Sequence, residues 1–94
     1  MNDQLQFDPE DASQWARRVR DRAYATPSVP APLPAQLRIR ARVVDSLATT
    51  ILAIERGLTV GVGRPRPLSS LYRELNLTCD RMANLATQHG ISVD

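Results

Sequence analysis

Proline and glycine fall in two clusters, and those clusters decide which lengths of the chain can be regular. The run "TPSVPAPLPA" holds four prolines from Pro27 to Pro34, and "GLTVGVGRPRP" holds three glycines and two prolines from Gly57 to Pro67. Proline lacks a backbone N–H and clashes with the preceding helical turn, and glycine loses the most entropy on ordering, so neither continues a helix cheaply. The longest stretch between the clusters, Ala35 to Arg56, contains neither residue. Apolar residues are 43% of the chain but aromatics only 4%. A core built from Leu, Val, Ile and Ala suits helix-on-helix packing better than a β-sandwich. The expected fold is all-α: a short N-terminal helix, a Pro-rich spacer, one long central helix, a Gly/Pro loop and a C-terminal helix-turn-helix-like pair.

Local signals place these elements. Asp8-Pro9-Glu10-Asp11 is a helix start: Asp8 caps, Pro9 suits the first helical position, and two acids follow at the positive end of the dipole. Ala12, Trp15, Ala16, Val19 and Ala23 then form one apolar stripe, which stops near Ala25 because Thr26 precedes Pro27. Pro27 to Pro34 reads as an extended spacer of polyproline type. Ala35 to Arg56 predicts a helix about 33 Å long, ended by Gly57. In it Leu37, Val44, Ile51 and Leu58 recur every seven residues, and Ile39, Val43, Leu47 and Ile54 add a second apolar flank. A helix that is apolar over more than one stripe needs more than one neighbour, either the first helix and the C-terminal pair in an intramolecular bundle or another copy of the chain. The expectation is that these four heptad residues pack copies together.

The tail is expected to form two helices. The first runs from Pro67 to about Leu75, Asn76 and Leu77 make a turn, and the second runs from Thr78 to roughly His89, closed by Gly90. Leu71, Leu75, Leu77, Met82 and Leu85 would lock the pair, leaving Thr78, Cys79, Asp80, Arg81 and Asn84 facing outward. The resulting organisation is an acidic N-terminal tail and helix over 1–26, a spacer over 27–34 and a helical core over 35–94.

A chain of 94 residues buries only about 60–65% of its unfolded surface, which makes one small domain and favours self-association. All twelve basic residues are arginines; of ten acids, Asp3, Asp8, Glu10 and Asp11 precede Ala12, so twelve arginines face six carboxylates from there onward. Such an excess fits polyphosphate or an acidic protein surface. Arg38, Arg40, Arg42, Arg64, Arg66 and Arg81 are the candidate nucleic-acid contacts. Nothing points to catalysis. One histidine, His89, and one cysteine, Cys79, make no zinc set, and no Gly-Lys-Ser/Thr phosphate loop exists. Cys79 is expected to be a buried thiol. No catalytic residue, metal or cofactor is expected. Without a signal peptide, disulfide partner or long apolar run, the chain reads as soluble and intracellular, with no membrane partner.

"PLSSLYRELNLTCDRMANL", Pro67 to Leu85, resembles the closing segment of one family of phage small terminase subunits, which carries a Glu-Leu-Gly-Leu-Thr-Pro-x-x-Arg signature. The shared letters fall on Glu74, Leu75, Leu77, Thr78 and Arg81; Asn76 stands where the family has glycine and Cys79 where it has proline. The resemblance implies a non-enzymatic factor for packaging DNA into a viral or virus-derived particle, acting in the cytoplasm of a bacterial host. It also implies a homo-oligomer of ring type that touches DNA weakly and docks the large terminase, which owns the ATPase and nuclease. Two other readings stand beside it: a dimeric helix-turn-helix transcription regulator, and a small helical adaptor or inhibitor that binds an acidic protein partner.

Overall fold

The computed structural model describes residues 8–57 and 67–93. Three helices make up the described chain, with no strand among them: α1 (Pro9–Ala25), α2 (Pro32–Glu55) and α3 (Leu68–Gln88). The all-α expectation holds. Helix α1 has the limits its sequence signals give. Asp8 is extended, at φ −61° and ψ 132°, and its side chain accepts from the Glu10 N–H at 2.9 Å, so one of the orphan donors of the first turn is satisfied.

The expected extended proline spacer over 27–34 is shorter and is not extended. Helix α2 opens at Pro32 and carries both Pro32 and Pro34 in its first turn, where N–H groups have no intrahelical acceptor and proline loses nothing by lacking one. What remains, Thr26 to Ala31, is a compact turn, with Val29 N–H donating to the Thr26 carbonyl at 3.4 Å and Leu33 N–H to that of Pro30 at 3.0 Å. This short connection folds α1 back onto α2. Ala12, Ala16, Val19 and Ala23 are all at most 1% exposed and belong to the same core cluster as the apolar faces of α2 and α3. Small side chains on α1 let its axis come close to α2. The N-terminal helix is part of the body.

The expected pair of C-terminal helices is a single helix. Helix α3 runs without a break through Asn76 and Leu77. Its buried residues, Leu71, Leu75, Thr78, Cys79, Met82 and Ala86, lie at one continuous helical spacing. A turn at Asn76 would rotate half of them off the core. No glycine or proline occurs between Leu68 and His89 to make such a turn cheap. Leu77, expected to lock the pair, is 46% exposed, and Thr78, which that geometry turns outward, is buried. Cys79 is buried as its reading as a lone thiol expects, not outward as a helix-turn-helix would have it. Gly90, at φ +75°, ends α3. The Ile91 N–H then reaches the Ala86 carbonyl and the Gly90 N–H that of Thr87, at 3.0 and 3.1 Å, the Schellman pattern. Beyond it the chain crosses α1: the Trp15 indole donates to the Val93 carbonyl, and Arg22 to that of Ser92 at 3.0 Å. At the other end, Tyr72 donates to Glu55 at 2.6 Å and ties the start of α3 to the end of α2.

Among the described residues, no helix is long and apolar enough to cross a membrane. Leu58, Arg64 and Arg66 lie outside the described residues, as does the Gly-rich stretch expected to be a loop.

A candidate docking groove between α2 and α3

The heptad stripe expected to join copies of the chain faces inward. Leu37, Val44 and Ile51 are each 0% exposed within the single chain, packed in a cluster with residues of α1 and α3. Their own neighbours cover them, so they are not available to a second copy. The second apolar flank is covered only in part. Leu47 is buried and Ile54 packs against the core, but Ile39 is 60% and Val43 40% exposed. The cause is geometric: α1 takes one side of α2 and α3 the other, and the flank overhangs the α3 side toward solvent.

That overhang forms one wall of an open groove of about 580 Å³. Helix α2 contributes Gln36, Ile39, Arg40 and Val43. Helix α3 contributes Glu74, Thr78, Arg81 and Leu85, at the spacing of one helical face. The lining is mixed: Ile39, Val43 and Leu85 are apolar, Gln36, Glu74 and Thr78 are polar or acidic, and each wall carries one arginine. The ion pairs Arg17–Asp45 at 2.9 Å and Arg20–Asp21 at 3.0 Å lie elsewhere and involve neither Arg40 nor Arg81.

Of the six expected nucleic-acid contacts, the four among the described residues do not make one patch. Arg40 and Arg81 meet in the groove, beside Ile39 and Val43. Arg38 and Arg42 are exposed on α2, but residues two apart on a helix point about 200° from each other, so both lie on the face turned away from Arg40. Glu74, Thr78 and Leu85 were not recognisable as lining residues in the sequence, because the expected turn at Asn76 separated the two ends of this face. Three of the five letters shared with the small terminase segment, Glu74, Thr78 and Arg81, line the groove, while Leu75 is core and Leu77 is exposed at its outer side.

A second recess, of about 190 Å³, lies between the start of α1 and α2 and is lined in part by Ser13, Arg17 and Asp45. Within it Asp45 is held by its neighbours: Ser13 donates to Asp45 at 2.6 Å and Arg17 to the same oxygen at 2.9 Å. Those contacts, the Ser13 hydroxyl first, hold the Asp45 carboxyl below its usual range. Cys79 is a free thiol, 1% exposed, and burial with the nearby Asp80 charge pushes its pKa up to about 12. A thiol held neutral in this way is a poor nucleophile and a poor metal ligand. Among the described residues, no group of His, Cys, Asp and Glu is placed to hold a metal ion. In comparisons with known proteins, no family model, curated protein or solved structure matches the chain.

Proposed function

We propose that the protein is a non-enzymatic helical adaptor that binds another protein through the groove between α2 and α3. The observation that carries this reading is the exposure of Ile39 and Val43 beside Arg40 and Arg81, in a chain whose other apolar helix faces are mostly covered. Exposed aliphatic side chains interleaved with polar groups and arginines are a composition that protein-docking surfaces use. Selection of a displayed random-peptide library on the whole chain tests it. Peptides enriched on the wild type should lose binding to an Ile39→Asp/Val43→Asp variant that keeps the wild-type helical spectrum. Enriched peptides indifferent to those substitutions would sink the reading.

A second reading, a small-terminase-like packaging subunit, rests on the letters Glu74, Thr78 and Arg81 and on the outward arginines. In it the groove receives the large terminase, and Arg38 and Arg42 touch DNA phosphates without reading bases. Self-association would then use surfaces other than the buried heptad. The two readings part on one measurement. A packaging subunit binds two unrelated duplexes alike at low salt, and that binding fades evenly as salt rises. An adaptor shifts neither duplex. The helix-turn-helix regulator has no turn between its helices on which to stand.

A further inference from the structure

The adaptor reading leaves the partner undefined, but the groove narrows its chemistry. We infer that the occupant is an amphipathic α-helix carrying acidic side chains on both margins of its apolar stripe. The inference rests on the adaptor reading for the site and adds the shape and charge of what fills it.

Shape comes first. The groove is the valley between two long helices. From Glu74 to Leu85 it follows α3 for about 16 Å, some three helical turns. Ile39 and Val43 stand one turn apart on α2, and Arg81 and Leu85 one turn apart on α3, so each wall is a ridge with helical periodicity. Ridges of a further helix pack into such a valley, and a helix laid there would extend the three-helix core toward a four-helix bundle. An extended strand has no sheet edge to join, because the described chain is helical on both walls.

Charge then selects the sequence of that helix. Arg40 projects from one wall and Arg81 from the other, with Glu74 as the single acid lining the groove. A helix with carboxylates on both sides of its apolar stripe sets that stripe against Ile39, Val43 and Leu85 and meets an arginine on each side in a charge-assisted pair. A basic helix meets like charge on both sides. A second copy of the chain fits poorly for the same reason. Applied face to face about a two-fold axis, the same patch brings two arginines and one glutamate per copy into contact, which leaves positive charge in excess.

The test uses the full chain and two synthetic helices of about four turns. Both carry leucines at helical spacing; one has glutamates along the margins of the leucine stripe and the other has lysines. Fluorescence anisotropy should show saturable binding of the glutamate helix and none of the lysine helix. Arg40→Glu/Arg81→Glu should weaken the glutamate helix by about tenfold or more, the scale of losing one charged hydrogen bond or more, and should admit the lysine helix. Both sites are at the surface, and a wild-type helical spectrum and urea midpoint show that the variant folds. Equal binding of both helices would overturn the acidic occupant while leaving a groove that docks protein. Binding of neither, or displacement of the glutamate helix by duplex DNA at low salt, would also overturn it. The library selection judges the adaptor reading separately, because it makes no assumption about charge.

Discussion

Asp45 joins α2 to α1 through one oxygen, which accepts from both Ser13 and Arg17. The Ser13 hydroxyl is the larger cause of its lowered pKa, opposed in part by burial and assisted by Arg17. A carboxyl whose folded pKa lies below its unfolded value stabilises the fold above the ordinary carboxylate range, and that contribution is lost as pH falls through the folded value. The side chains of the pair are 57% and 47% exposed, so solvent screens much of the effect. Asp45→Asn keeps an acceptor for Ser13 and removes the charge. The variant is therefore expected to be less stable than the wild type near pH 7, with the gap closing as pH falls through and below the ordinary carboxylate range. Urea midpoints of the two proteins across that range measure it, and parallel curves would show that the contact has no net electrostatic weight. Cys79 gives a second expectation at the same scale. Its buried, neutral thiol should react slowly with a thiol reagent in the folded chain and promptly in urea; equal rates would mean that α3 exposes it.

Helices reveal which sequence signals were read correctly and which were misweighted. The limits of α1 were legible because both ends are local: Asp8 caps the start and the Thr26-Pro27 step stops it. The start of α2 was misplaced because its prolines were read by density, whereas their position in a first turn is what matters. In α3 the turn expected at Asn76 and Leu77 rests on Thr78 as the cap of a second helix, and the terminase segment that this stretch resembles has glycine at the position of Asn76 and proline three residues on. This chain has Asn76 and Cys79, and with neither breaker the helix continues. The single face was visible only if Thr78, Cys79 and Ala86 were counted beside the leucines. Restoring the breaker tests the physical cause. Cys79→Pro removes the N–H that an α-helix bonds to the carbonyl four residues back, that of Leu75, and its ring crowds the same carbonyl. The variant is expected to lose about 3 kcal/mol or more, with a fall in helical circular dichroism. Asn76→Gly, which weakens the same segment without a steric break, is expected to lose about 0.5–1 kcal/mol. Retention of wild-type stability and helicity by Cys79→Pro would mean that the segment does bend near that position.

On the scale of the whole molecule, the question is whether the long helix is finished by its own chain. Its periodicity showed that two apolar flanks exist, but periodicity does not say which neighbour covers which flank. From periodicity alone either α1 and the C-terminal segment or a second copy can cover the heptad, and the expectation favoured the second copy. With α1 folded back, Leu37, Val44 and Ile51 are fully covered and only the Ile39–Val43 edge stays open. The groove was legible to that extent: surplus apolar surface was expected on α2, and it exists, on the flank next to α3. This arrangement has a consequence for folding. If the core closes within one chain, stability does not depend on protein concentration, whereas a core shared between copies gains stability by mass action as concentration rises. The urea midpoint of the wild type is therefore expected to be the same in dilute and concentrated samples. Leu37→Ala deletes a fully buried side chain and should lose about 2–5 kcal/mol, by the same amount at every concentration. A midpoint that climbs with concentration in the wild type, and a Leu37→Ala loss that shrinks in dilute samples, would return the heptad to an interface between copies.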